Sequence, residues 1–228
     1  MNFEVVMQYI PMFFQAVLQT LTISVSSILL GTVLGIIIYL MKTSSLKVGA
    51  IRPLNIVSSI FIEVMRGTPI LLQILVCYVI FGMLPISRNL PGNTSSLLAS
   101  IIAISLNSSV YIAEIIRAGI QSVSRGQLQA ARSLGMSKSM AMIYIIMPQA
   151  IKNIIPALGN EFVSIVKGSS MGYVLGVAEL TFTAKVVQGA TYQPLSPLLV
   201  SALFYMCLTF ILGRIVSNVE KRMQRSDA

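Results

Sequence analysis

Residues 9–41 form a run without a single charged side chain. That is well beyond the roughly 20 residues a helix needs to cross a bilayer. In hydrocarbon the backbone N–H and C=O groups must be satisfied within the chain, so a run of this length reads as a membrane helix. Further apolar stretches cover about residues 55–84, 97–120 and 197–219, and a more polar one rises from about Pro148. The sequence therefore predicts an all-α membrane protein with about five transmembrane helices. Composition points the same way: 55% of the 228 residues are hydrophobic, 10% are charged, and mean hydropathy is +0.84. So little polar surface cannot coat a soluble globule. With no internal repeat, low-complexity tract or soluble segment, residues 1–228 read as one transmembrane domain.

The net charge of +9 is not spread evenly. Glu4 alone precedes the first span, whereas Lys42, Lys47 and Arg52 follow it and Lys221, Arg222 and Arg225 close the chain. Of the 16 Lys and Arg residues, only Arg88 falls clearly in a connection on the other side, where Pro91-Gly92-Asn93 signals a turn. Basic residues gather in cytoplasmic loops, so the expected orientation is N-terminus out and C-terminus in, in a multi-pass cell membrane protein. The same clustering accounts for the charge without nucleic acid, and the expected surroundings are membrane lipid. The first 41 residues contain no Lys or Arg. A cleavable signal peptide would need a positive n-region, so the first span is expected to be retained.

Several chemistries are excluded. The chain has no His, which removes His-based triads and imidazole ligands. Cys77 and Cys207 lie in apolar runs and read as small hydrophobes. No Gly-x-x-x-x-Gly-Lys-Ser/Thr phosphate loop and no Gly-x-Ser-x-Gly elbow occur, so ATP hydrolysis is not expected on this chain. Neither a metal, a resident cofactor nor a catalytic residue is expected.

The polar residues inside the spans carry more information. Glu63 and Arg66 stand one turn apart, and the following Gly67-Thr68-Pro69 should kink or break the second span. Glu114 and Arg117 are spaced to pair near the end of the third span, either fixing that end against a partner-facing loop or merely anchoring its depth. The fourth span carries Lys152, Asn153, Pro156, Asn160, Glu161 and Lys167, too many polar groups for a lipid-facing helix, and residues 167–172 are expected to be irregular backbone. Glu161 lies about 20 Å past Pro148 along a helix, near the bilayer centre. A carboxylate there must face a ligand, an aqueous cavity, or a cation such as Lys167, Lys152 or Arg66. Asn160 beside it is a weaker candidate.

Residues 126–148 read GQLQAARSLGMSKSMAMIYIIMP. A polar, Ala-rich helix runs from about Gln127 to Leu134, Gly135 can take the left-handed conformation that closes it, and Ser137 can cap a second helix. With Arg125 just before it and Arg132 and Lys138 inside it, this is a structured, basic loop between two spans.

That loop resembles the EAA loop of ABC-importer permeases. Ala130, Ala131, Gly135, Ile145 and Pro148 match its pattern, and Gly126-Gln127 agrees with the version found in polar amino acid permeases. Gln129 stands where that family has Glu, and Met147 where it usually has Leu. Residues 111–120 are similar to the lead-in to the same loop, and Arg66-Gly67-Thr68-Pro69 to an element of amino acid permeases whose broken helix contributes to the central pathway. The resemblance implies a type I ABC-importer permease in a bacterial-type inner membrane. Its expected partners are a second permease chain (homodimer or heterodimer), ABC ATPase subunits that hold ATP and Mg, and an extracytoplasmic solute-binding protein delivering a polar amino acid. It also assigns Gly126, Gln127, Gln129, Ala130, Ala131, Arg132, Gly135 and Pro148 to an ATPase-coupling loop spanning about 121–148. Together with the positions of the intramembrane polar groups, it makes Glu161, Asn160, Arg66 and Thr68 the candidates for the substrate path, and Glu114 with Arg117 a structural ion pair. The alternatives are a secondary amino acid transporter and an intramembrane Ser-Lys protease built on Lys167 with Ser169 or Ser170.

Overall fold

The computed structural model describes residues 3–85, 87, 90–91 and 93–225, so Arg88 and the Gly92 of the expected turn lie outside the described residues. A short helix α1 (Phe3–Met7) leads into α2 (Ile10–Thr43), whose 34 residues span about 51 Å. Next come α3 (Pro53–Gly67) and α4 (Ile70–Met83), bent by 114° where they meet. The following helices are α5 (Thr94–Gln121), α6 (Arg125–Ser133) and α7 (Lys138–Ala141). A π-helical turn, Met142–Ile146, joins α7 to α8 (Met147–Gly168), and a 3₁₀ segment, Ser169–Leu175, follows. The last two helices are α9 (Leu180–Thr191) and α10 (Ser196–Arg225). Among the described residues, four helices are long and apolar enough to cross a membrane, or five if the bent pair is one span.

The hub is α5. Of its most apolar window 67% is buried, against 11% for α10, because α2, α4 and α8 all pack on it. Its contact with α2 depends on the absence of side chains: a Cβ on Gly31 would stand 2.4 Å from Ser108 Oγ, and one on Gly35 2.7 Å from Ile112. Two glycines four apart form the small-residue groove that lets membrane helices approach closely. Elsewhere the outer faces of α2, α4 and α10 expose Leu29, Val79 and Phe210, as suits helices whose solvent is lipid.

Two local features differ from expectation. The fourth helical run begins at Lys138 rather than near Pro148, because the π turn carries the helix past the proline. Pro148 has no N–H to give to the preceding turn, and a widened turn accommodates it. Residues 167–172 are not irregular: α8 runs to Gly168 and tightens into the 3₁₀ segment, with Ser169 donating to the Val166 carbonyl at 2.8 Å. The chain breaks only at Gly176, in the left-handed region at φ 76°.

Candidate functional site

The α3/α4 break positions the first wall of the site. Pro69 cannot donate a hydrogen bond, so the turn leaves carbonyls without intrahelical partners. The Gln73 amide answers them, donating to Met65 O at 2.9 Å, Thr68 O at 3.0 Å and Thr68 Oγ1 at 2.8 Å. Its Oε1 in turn accepts from Asn107 Nδ2 of α5 at 2.9 Å. One glutamine thereby ties the broken span to the middle of α5. Sequence reasoning missed it, since nothing in the local pattern separates Gln73 from an ordinary polar residue near a helix start.

Beside Asn107 opens a cavity of about 600 Å³ lined by α4, α5, α8 and the 3₁₀ segment. Asn107, Ser108 and Tyr111 face it from α5, and Glu161, Ser164 and Lys167 from the α8 side. Glu161 is half-buried, and among the described residues its carboxylate makes no hydrogen bond or ion pair. Arg66 reaches the same wall indirectly, its guanidinium lying 5.8 Å from the centre of the Tyr111 ring. Asn160 is exposed and is not part of the lining, since one residue along a helix turns about 100°. Thr68 is also outside it, held in the break through its bonds to Val64 O and Gln73.

At the far end of α5, Glu114 and Arg117 do pair. Arg117 Nε donates to the two carboxylate oxygens at 3.1 and 3.0 Å, Nη2 donates to Glu114 Oε1, and Nη1 donates to Gln121 Oε1. Beyond them Ser124 caps α6 by accepting from Gly126 N at 3.3 Å, and Ala131 is the buried residue of that helix. Gly135, at φ 85°, closes it: its N–H donates to Arg132 O and the Met136 N–H to Ala131 O, both at 3.1 Å. These are the paired bonds of a Schellman cap. The Arg132 guanidinium adds a bond to Met136 O, and Ser137 caps α7 through Met140 N at 3.2 Å. Gly126, Gln127, Gln129, Ala130, Arg132, Gly135 and Pro148 are all exposed, and Leu134 is 84% exposed. The two ends of this loop are clamped together by Asn153 Nδ2 donating to Ser122 Oγ at 2.8 Å, and by Gly119, where a Cβ would meet Ile154 at 2.4 Å.

Residues 31–225 match the family model described as binding-protein-dependent transport system inner membrane component. The chain belongs to this family. Its relatives include the arginine transport system permease protein ArtQ of Bacillus subtilis strain 168, 35% identical over 100% of this chain and 99% of that one. The probable glutamine ABC transporter permease protein GlnM of the same organism is 37% identical over 99% and 100%. The nopaline transport system permease protein NocM of Agrobacterium fabrum strain C58 is 34% identical over 96% and 91%. Among solved structures, an amino acid ABC transporter crystallised with histidines superposes with a TM-score of 0.87 at 42% identity, covering 97% of this chain and 99% of that one. The inward-facing MetNI methionine ABC transporter shares the fold, with a TM-score of 0.78 at 16% identity over 95% and 98% of the two chains.

As a binding-protein-dependent permease, the chain is a multi-pass transport component, and ATP hydrolysis occurs on a separate ATPase. The family implies ATPase and binding-protein partners and a second permease. Of the Ser-Lys alternative, Ser169 is fully buried with its hydroxyl donating to Val166 O, whereas Ser170 and Lys167 line one cavity together. Among the described residues no group of three or more His, Cys, Asp or Glu could hold a metal ion.

Proposed function

We propose that this chain forms the translocation path of an ATP-driven importer of a polar amino acid in a bacterial inner membrane. The observation that carries the reading is Glu161: a carboxylate within a membrane helix, facing a cavity of about 600 Å³ and held by no cation among the described residues. Such a group is costly in lipid and stands ready for a cationic ligand. Every amino acid supplies an ammonium group, and relatives named for arginine, glutamine and nopaline transport point to that class. Arg66 acts at the same wall through Tyr111, and Thr68 preserves the break that opens the cavity. Asn160, exposed on α8, does not line this cavity.

The exposed block around 121–148 is the coupling surface for the ATPase, and Gln129, Ala130, Arg132 and Leu134 are the side chains it offers. ATP and Mg stay on that partner. Glu114 and Arg117 brace the end of α5 beside this surface. The Lys and Arg asymmetry puts the N-terminus outside and this surface in the cytoplasm. Two permease chains, identical or not, flank the path, and an extracytoplasmic binding protein loads it. When the ATPase pair closes on ATP, the loops are carried inward together and the spans exchange inward for outward access.

The test is uptake of radiolabelled polar amino acids, glutamine and arginine among them, by proteoliposomes holding the permease with its ATPase and binding protein. Uptake is expected only with ATP on the ATPase side. Uptake driven by an ion gradient without ATP would overturn the proposal.

A further inference from the structure

Where α2, α3 and α5 converge, one turn beyond the main cavity on α5, lies a second cavity of about 200 Å³. Five charged side chains face it: Lys42, Glu63, Arg66, Glu114 and Arg117. Three of them are engaged. Arg117 holds Glu114 with paired hydrogen bonds, and Lys42 donates to Ser59 Oγ at 2.5 Å. Glu63 and Arg66 are left. They sit at i and i+3 on α3, close enough to pair, yet among the described residues neither has a hydrogen bond or an ion pair. Arg66 instead rests on Tyr111, which lines the main cavity.

A carboxylate and a guanidinium a turn apart, neither in a hydrogen bond or ion pair among the described residues, are complementary to a zwitterion. A guanidinium fork donates to a carboxylate in bidentate fashion, and a carboxylate accepts from an ammonium. The volume exceeds the roughly 30 Å³ share of one water several-fold, which leaves room for an amino acid head group. Arg66, which faces this cavity, stands 5.8 Å from the ring centre of Tyr111, which lines the first one, so the two cavities lie on either side of one stacked pair.

Resting on the amino acid reading above, we propose that Glu63 and Arg66 form a second, exit-side subsite for the transported amino acid, Glu63 taking its ammonium and Arg66 its carboxylate. Passage requires sites that bind strongly enough to admit a solute and weakly enough to release it, and two staged sites divide that demand. Glu63 and Arg66 are exposed whereas Glu161 is half-buried, which makes this the weaker of the two.

The experiment is equilibrium dialysis of radiolabelled L-glutamine and L-arginine with the detergent-solubilised permease–ATPase complex. At least one probe is expected to occupy two classes of site per permease chain. Glu63→Gln should weaken the lower-affinity class by about 10-fold or more, the loss of a charge-assisted hydrogen bond, and leave the other class within about 2-fold. Glu161→Gln should do the reverse, and Glu63→Asp should restore the lower class. In uptake, Glu63→Gln should lower kcat more than KM, since it acts after loading. A single class of sites in the parent complex overturns the proposal, as does a Glu63→Gln complex that loses both classes together with its unfolding temperature, the mark of a brace. If Glu161→Gln changes neither class while Glu63→Gln still removes one, the first reading falls and the exit subsite stands. A complex that binds neither probe removes both.

Discussion

Tyr205 of α10 donates its hydroxyl to Glu179 Oε2 at 2.6 Å, and Glu179 is fully buried. The same carboxylate accepts from Thr181 N at 2.8 Å and Phe182 N at 2.7 Å, so it caps the first turn of α9. Three donors and the positive end of a helix satisfy a charge that the apolar surroundings would otherwise reject. Removing one donor should be felt. Tyr205→Phe keeps the ring and is expected to lower stability by about 1–2 kcal/mol, read as a lower unfolding temperature in detergent. Glu179→Ala should cost more, because it orphans the Tyr205 hydroxyl and uncaps α9 in the same step. Equal unfolding temperatures for Tyr205→Phe and the parent would show that this buried bond does not brace the α9–α10 corner.

Gly135 occupies the left-handed region with no atom within 4 Å of where a Cβ would stand. A Cβ there meets no packed neighbour, so the main cost of Gly135→Val is backbone strain, about 1–2 kcal/mol at one residue. That strain falls on the Schellman cap between α6 and α7 and should re-aim α7. Membrane insertion and abundance are expected to stay near the parent level, while substrate-stimulated ATP hydrolysis by the partner falls. A Gly135→Val complex that remains fully coupled would take this loop out of the mechanism.

Local chemistry made much of this architecture legible. The Gly67-Thr68-Pro69 break follows from a missing donor and a flexible residue, and it appears as the 114° bend. Ser137 and Gly135 are cap residues whose roles are set within four positions of themselves, so the α6 turn α7 unit could be read directly, although α6 starts at Arg125, capped by Ser124, rather than near Gln127. What stayed hidden depends on partners distant in sequence. Gln73 needs Asn107 across the bundle, and Glu179 needs Tyr205 26 residues on. Helix α9 went unread for a related reason: its 12 residues mix Thr, Lys and Gln with a narrow stripe of Leu180, Ala184 and Val187, which finds its apolar mates in Val6 of α1, Phe13 and Ala16 of α2, and Leu198, Phe204 and Leu208 of α10. The cavity has the same origin. Glu161 could be recognised as a charge requiring company, but that Asn107, Tyr111 and Lys167 share its space is a property of packing.

Orientation is open to direct labelling. Asn93 is exposed just before α5 and Ser139 is exposed in α7, at opposite ends of the helices that join them. In a background without Cys77 and Cys207, Asn93→Cys should react in intact cells with a thiol reagent that cannot cross the membrane, and Ser139→Cys should react only after the membrane is opened. The opposite pattern would invert the arrangement read from the basic loops.

Glu161→Gln separates a ligand group from a structural one, because it keeps volume and removes charge. Had Glu161 neutralised a neighbouring cation such as Lys167, its loss would leave that cation buried and unpaired, at a cost of about 3–5 kcal/mol. No such pair exists among the described residues, and the carboxylate faces a cavity with room for water, where a neutral amide is tolerated. The unfolding temperature of Glu161→Gln should therefore stay close to that of the parent. Uptake should fall at least about 10-fold, the loss of one charge-assisted contact to an ammonium group. Both quantities can be measured on one preparation, so a protein of reduced yield cannot pass for one of reduced affinity. A variant that unfolds earlier but whose folded fraction transports at the parent rate would return Glu161 to the scaffold and leave the cavity in need of another cation-binding group.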